Sequence, residues 1–509
     1  MNLSLEQRLS WLVFLFFLSV YLLTSQGSIQ SSDGKIMYFL TQAVIEHHQF
    51  NLSDYFDGST VERFSKYGLG MSVLAIPFYV AGLGLSKVLG IDPVFTTTFC
   101  VSLINAWVTA LSCLMVFRFG RDRFNFRYRT AWVLSLAFGL STPAWVYSED
   151  FMSEPATTLV LLCAAYLITD PRPALKNQNL LWAGIFLGLG LLFRASTAIA
   201  LPGFLLYLAL TGGHRGGEKY CDLLADLARF TLPLLLFLCV IFFYNFVRYQ
   251  NIFVSGYEKG FGPWLFKGLY GILFSPGKSM FLYAPVLMLG CAGIPGFFRS
   301  RPGSALLFVW IILAHLMLFS CWHSWFGGLS WGPRLMLVTF PFLVLPAGFL
   351  LESNPRVFNT PVAYLIALGI LIQIPGVTVN MARYYYFMKA EYGEKAHDLI
   401  LYSAPHTPLL GQFGMMGQVI RNLGDRKGME ERVAIAKQQG RFTGMDPATV
   451  LKKGLAVNAP NFWWLYLYLF GYPFIMAGLP PLVLLSTVWI CGYKINILTG
   501  EPHRPSPDS

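Results

Sequence analysis

Three carboxylates fall within six residues in the stretch Tyr147-Ser148-Glu149-Asp150-Phe151-Met152-Ser153-Glu154-Pro155, directly before an apolar run. A fourth, in Ser31-Ser32-Asp33-Gly34, directly follows another. A carboxylate at the mouth of a long apolar helix is well placed to take a proton from a hydroxyl substrate. A plainer role competes with that one. Ser32 or Asp33 can cap the helix that Ile36, Met37, Leu40 and Val44 announce by their spacing, and Ser153 with Glu154 and Pro155 can start the next. Capping accounts for one acid of the second stretch and leaves the others unexplained. Asp33 is the candidate general base, and Glu154, closest to the lipid, is the second functional acid. Oxygen ligands such as Asp33, Glu149, Asp150 and Glu154 also suit Mg or Mn, so a divalent metal is a secondary expectation, although no ligand spacing supports it.

Cations stand at comparable positions. Lys66, in Phe64-Ser65-Lys66-Tyr67-Gly68, and Arg194, Arg248, Lys278 and Arg334 lie at the ends of apolar runs. Each alone suits a snorkelling side chain. Lys278 sits in Ser275-Pro276-Gly277-Lys278, a turn whose backbone N–H groups suit an anion; the spacing is not that of a nucleotide P-loop. Arg334 closes Trp325-Phe326-Gly327-Gly328-Leu329-Ser330-Trp331-Gly332-Pro333-Arg334. Indoles beside a guanidinium suit a sugar ring beside a phosphate, or equally an interfacial aromatic belt. His323, just upstream, is a weaker candidate.

The elements that must hold these residues are membrane helices. Of 509 residues, 55% are hydrophobic and 12% charged, against about 25% charged in soluble domains. Twelve apolar stretches read as spans: 9–26, 97–117, 131–147, 155–169, 179–193, 196–211, 230–247, 281–298, 304–321, 335–351, 361–380 and 462–490. Arg194 divides 180–210 into two short helices, because one long helix would bury that charge in mid-membrane. The cluster Arg118, Arg121, Arg123, Arg127 and Arg129 marks the cytoplasmic side. Residues 68–91 are apolar enough to span, but a crossing there would put that cluster outside, so they are expected to lie within the first external loop, 27–95. The expected architecture is an all-α polytopic bundle of about twelve membrane helices, eleven of them within 1–380. An external, partly helical region follows at 381–460, and a last span and cytoplasmic tail at 461–509.

The net charge of +11 is spread over many loops and forms no basic face, which excludes a nucleic-acid partner. Eight cysteines lie mostly inside apolar runs without CxxC spacing and read as core residues. Outward-facing loops carry more cations than a simple topology needs. Together with the acids they suggest a cleft for an anionic, lipid-carried substrate.

These motifs, with Phe193-Arg194-Ala195-Ser196 and Ser255-Gly256-Tyr257, occur in an order that resembles the GT-C superfamily of polyprenyl-phosphate-sugar-dependent glycosyltransferases, particularly the protein-mannosyltransferase-like family 39. The resemblance covers roughly residues 10–350. It implies an inverting transfer from a polyprenyl-phosphate sugar to a glycan, lipid or protein acceptor on the non-cytoplasmic face, in a bacterial inner membrane. Asp33 would deprotonate the acceptor, and Glu154 would position acceptor or sugar. Lys66, Arg194, Lys278 and Arg334 would hold the phosphate; Glu149, Asp150, Tyr257, Trp325, Trp331 and His323 would contact sugar or acceptor. Many family members carry two consecutive acids where this chain has Asp33-Gly34, which leaves the base and any metal role open. A transporter of lipid-linked saccharides is the competing reading; it would favour paired broken helices and internal symmetry, which the sequence lacks.

Overall fold

The structure, a computed structural model, describes residues 3–55, 63–172, 176–211, 219–257, 260–262, 265–353, 360–425, 427–428, 430–431, 434–435, 454 and 458–500. It is all-α; among the described residues the only extended pairings are two isolated bridges, Asn51 with Phe64 and Phe261 with Trp322.

Helix α1 (Leu5–Thr24) starts with a capping box between Ser4 and Gln7. Helix α2 (Ser32–His47) is capped by Ser31, whose Oγ accepts from Gly34 N at 3.1 Å. The cap is one residue earlier than Ser32 or Asp33, so the Asp33 carboxylate is not consumed by capping. Next come α3 (Leu69–Leu89), α4 (Pro93–Ser102), α5 (Ile104–Arg118), α6 (Tyr128–Leu140) and a four-residue turn α7 (Ala144–Tyr147). Helix α8 (Ser153–Ile168) has Met152, not Ser153, at its cap, which frees the Ser153 hydroxyl for another partner. Helix α9 (Lys176–Phe193) ends at Arg194, whose extended backbone breaks the chain before a 3-10 turn at Ala195–Ala200 and α10 (Leu201–Thr211). That break is the one expected at Arg194. Helices α11 (Lys219–Tyr249), α12 (Leu265–Phe274), α13 (Met280–Tyr283), α14 (Leu287–Ser300) and α15 (Pro302–Ser320) follow. A 3-10 turn at Arg334–Thr339 then leads to α16 (Phe340–Val344), α17 (Ala347–Ser353) and α18 (Pro361–Thr378).

By length and composition, eight helical stretches among the described residues can cross a membrane, and shorter apolar helices such as α8 and α12 lie among them. The protein is an integral, multi-pass membrane protein. Three expected spans are interrupted. Pro143 separates α6 from α7, Pro285 lies between α13 and α14, and Pro346 between α16 and α17, since proline removes a helical N–H and clashes with the preceding turn. The span expected at 462–490 is likewise three pieces, Trp463–Leu469, Phe474–Ala477 and Leu479–Gly500, the first two parted near Gly471 (φ +81°) and Pro473.

Ion pairs identify one end of the bundle. Arg118 meets Glu6 at 3.2 Å, so α5 returns to the start of α1. At the same end Arg123 pairs with Asp170 at 3.0 Å, and Arg127 with Glu352 at 3.5 Å. Below them Phe124, Phe297, Phe308 and Phe349 interlock, with ring centroids 5.0–6.1 Å apart. Residues 69–89 form one unbroken helix, long and apolar enough to span. The α2–α4 excursion nevertheless leaves α1 and rejoins α5 at the same end of the bundle, opposite the arginines. Asn105, at the start of α5, donates 2.9 Å to Met152 O at the start of α8. Gly68 docks α3 there: a Cβ at that position would sit 2.1 Å from Leu192 O.

Helices α19 (Met381–Tyr392), α20 (Ala396–Tyr402) and α21 (Pro408–Leu423) form a small layer around Met388, Ile400 and Val419. It rests on the Ser275–Ser279 turn: Thr407 Oγ1 donates to Pro276 O at 2.8 Å and Gly277 N to Leu401 O at 3.2 Å. Residues 436–453, the middle of the region expected at 381–460, lie outside the described residues.

Candidate active site

Four charges of alternating sign meet at the end opposite the arginine cluster. Arg194, freed by the break after α9, donates to Glu154 Oε1 at 2.7 Å and to Ser153 Oγ at 3.1 Å. Arg334, at the entry of its 3-10 turn, lies 3.2 Å from the same Glu154 oxygen and 2.9 Å from Asp33 Oδ2. The order is Asp33, Arg334, Glu154, Arg194. Glu154 is almost wholly enclosed, with 2% of its side chain exposed, while Asp33 keeps 24%. The buried carboxylate is the shared anchor of two guanidinium groups; the accessible one is the group a substrate can reach. Burial pushes the Asp33 carboxyl up, but Arg334, a hydrogen bond from Tyr67 and the more distant Arg194 outweigh it and hold the group below the usual aspartate range.

Asp33 is held from the other flank as well. Asp150 accepts from the backbone N–H of Ser31 at 3.0 Å, of Gln30 at 3.3 Å and of Phe151 at 2.8 Å, fixing the entry to α2. Its oxygens are occupied by this backbone.

The cluster faces a cavity of about 1210 Å³. Its lining includes the apolar Ile199, Ile241, Leu318 and Phe319 and the polar Gln26, Gln30, Glu149 and Asn461. Of the expected site residues, Asp33, Lys66, Arg194 and Arg334 come together on its wall, with Tyr257, whose hydroxyl feels the charges of Arg194, Asp33 and Lys66. Glu149 and Asp150 also line it, and Glu154 lies just behind, joined to the wall through the two arginines.

Other expected residues sit elsewhere. Lys278 is off the wall and buried; its ammonium donates to Ser330 O at 2.5 Å, Ser330 Oγ at 3.0 Å and Gly328 O at 3.3 Å. Burial and the neighbouring Arg334 push its pKa well below the usual lysine value. Its position suits it to hold the loop before Arg334. Trp331 reaches the cavity with 1% of its surface, and its indole N–H donates to Gln373 at 3.0 Å. Trp325 is buried against Gly271, and both it and His323 lie off the wall.

Arg248 is the wall residue that the sequence motifs rank too low. It is 6% exposed, stacks 3.7 Å from the Tyr244 ring centroid and 4.8 Å from that of Tyr249, and donates to Asn245 Oδ1 at 2.6 Å and to Ser65 O. The signal was Tyr244-Asn245-Phe246-Val247-Arg248-Tyr249, an arginine flanked by tyrosines at a helix end, which suits stacking as well as snorkelling.

Asp33 and Glu154 answer to arginines and Asp150 to backbone N–H groups, and among the described residues no three His, Cys, Asp or Glu side chains converge in ligand geometry.

No family model matches the chain, and no curated protein matches it. Among solved structures, it is similar to ArnT from Cupriavidus metallidurans in the apo state, at 14% identity and a TM-score of 0.48 over 94% of this chain and 75% of that one. The same protein bound to undecaprenyl phosphate gives 15% identity and a TM-score of 0.46, over 95% and 77%. An oligosaccharyltransferase from Archaeoglobus fulgidus gives 12% identity and 0.45, over 79% of this chain and 60% of that one, so this chain spans less than two thirds of its length.

Proposed function

We propose that the chain is a membrane glycosyltransferase that moves a sugar from a polyprenyl-phosphate donor to an acceptor hydroxyl with inversion. The observation that carries this reading is the alternating Asp33–Arg334–Glu154–Arg194 cluster at the wall of a cavity also lined by Ile199, Ile241, Leu318 and Phe319. Lys66 and Arg248 add two cations to the same wall, so the cavity suits an anion attached to a hydrophobic chain.

In this mechanism the polyprenyl chain lies along Ile199, Ile241 and Phe319, and its phosphate meets Lys66, Arg194 and Arg248. The acceptor oxygen attacks the anomeric carbon from the face opposite the phosphate. Its proton passes to Asp33, the carbon–oxygen bond to phosphate breaks, and the phosphate leaves with the bonding pair. Negative charge grows on the phosphate during bond cleavage, which fixed cations reward most in the transition state. Glu154 touches neither reactant; it keeps Arg194 and Arg334 at fixed positions. By the positive-inside rule the arginine end is cytoplasmic, so the site opens on the non-cytoplasmic face, the periplasm in a bacterial inner membrane.

The test is to incubate membranes containing the protein with a panel of polyprenyl-phosphate sugars and to identify the glycosylated product. Asp33→Asn should remove transfer while donor binding and thermal stability persist; retained transfer in that variant would exclude Asp33 as the base.

A further inference from the structure

One corner of the cavity is left unused by this chemistry. Glu149 lies on the wall, 3% exposed, and its Oε1 has no hydrogen-bond partner. Beside it runs a chain of amides. Asn461 Nδ2 donates to Gln26 Oε1 at 2.7 Å, and Gln30 Nε2 donates to Asn461 Oδ1 at 2.8 Å. Tyr466, whose hydroxyl donates to Asn461 Oδ1 at 2.5 Å, is close enough to Glu149 to feel its charge. Gln26 and Asn461 are 5% and 6% exposed, and both line the cavity.

We propose that Glu149 and the Gln26–Asn461–Gln30 amide chain form a second subsite that reads the hydroxyl groups of a neutral carbohydrate. The inference rests on the glycosyltransferase reading only for how that carbohydrate arrives. Burial drives the Glu149 pKa well above the usual range; a hydrogen bond from the Thr24 side chain opposes it without offsetting it, the nearby Asp150 adds to it, and Oε1 stays without a partner. In its neutral form the carboxyl both donates and accepts, as each amide does. Such a set, without net charge, matches sugar hydroxyls, which are themselves donors and acceptors. Arg383 is near enough to act on Tyr466, but no cation acts on Glu149 itself, whereas Lys66, Arg194 and Arg334 gather around Asp33 and Tyr257, so a phosphate is better served there. An ammonium group would require an ionised Glu149. The carbohydrate is either the transferring sugar or a sugar of the acceptor, and both present the same chemistry.

The subsite is tested by binding, with the full-length protein in nanodiscs. The probes are undecaprenyl phosphate, undecaprenyl-phosphate-linked neutral hexoses and pentoses, the corresponding amino sugars, and a panel of methyl glycosides. At least one neutral sugar probe should lose about tenfold in affinity in Glu149→Ala, and Glu149→Gln should stay within about threefold of wild type. Undecaprenyl phosphate itself should bind all three proteins alike. Dependence on Glu149 with the lipid-linked sugars assigns the corner to the donor; dependence with methyl glycosides assigns it to the acceptor. Equal affinities in wild type and Glu149→Ala for every sugar probe would overturn the subsite. A Glu149→Gln variant as weak as Glu149→Ala, with amino sugars preferred, would also overturn it in favour of a cation site. Failure of wild type to bind undecaprenyl phosphate would instead remove the donor reading, while the methyl glycosides still decide the role of Glu149.

Discussion

At the scale of single residues, the site separates carboxylates by what each already holds. Asp33 keeps a reachable oxygen beside Arg334, Glu154 is shared between two arginines, Asp150 is taken by backbone, and Glu149 is buried without a cation. Asp33→Asn should therefore lower the transfer rate by about 10²–10⁴-fold, the usual range for a lost general base, with donor affinity retained. Arg248→Ala should weaken undecaprenyl phosphate binding by about 10–100-fold, as expected for a charged hydrogen bond, and a titration of that lipid checks it. Glu149 makes a pH-dependent contribution to stability. A carboxyl whose pKa is raised in the folded state stabilises less as pH rises above its ordinary value of 4.5. Glu149→Gln should match wild type in thermal stability near pH 4 and exceed it progressively above that, which melting curves across pH 4–8 would show. These residues were unequally legible. Asp33, Arg194 and Arg334 stand at the ends of apolar runs, and two membrane-helix ends on one side must share a plane. Whether Lys278 or Trp331 faces a cavity depends instead on partners remote in sequence, Gly328 and Ser330 for one, Gln373 for the other.

At the scale of elements, the site depends on helices that stop early. The break at Arg194 turns a buried charge into a wall residue, and the sequence predicts it because a mid-membrane arginine is costly. The proline interruptions near 143, 285 and 346 were hidden, because apolar content does not change across them and hydropathy measures only that. Close contact between helices is equally invisible to hydropathy. Gly290 on α14 packs so tightly that a Cβ there would lie 1.6 Å from Leu343 O. Gly290→Leu should thus destabilise the bundle by about 1–3 kcal/mol or more, the range for overpacking, since backbone rather than a flexible side chain must move. A lowered melting temperature with a smaller change in donor Kd than Arg248→Ala would place this effect in packing. An unchanged melting temperature would argue against the close approach.

At the scale of the whole molecule, residues 22–26 and 461–464 meet beside the cavity. Trp463 and Trp464 donate their indole N–H groups to Leu22 O at 2.7 Å and Leu23 O at 2.9 Å, and Asn461 bonds to Gln26. The expectation of a separate last span did not include this contact, since nothing in the local sequence around 461 signals a partner 435 residues away. Asn461→Ala should loosen the polar corner without touching the charged cluster. Weaker binding of neutral sugar probes with undecaprenyl phosphate binding unchanged is the expected result, read by the same titrations.

The Asn461 contact also sets an order in time. As the ribosome delivers the chain, Asp33, Glu154 and Arg194 enter the membrane first, Arg334 joins them later, and Asn461, which finishes the polar corner, follows after all four. A growing chain passes through stages in which the charges are assembled but the corner is open. The cavity is therefore complete only once Asn461 has been made, so a polypeptide that stops short of it lacks the full constellation even when the helices before it are already inserted.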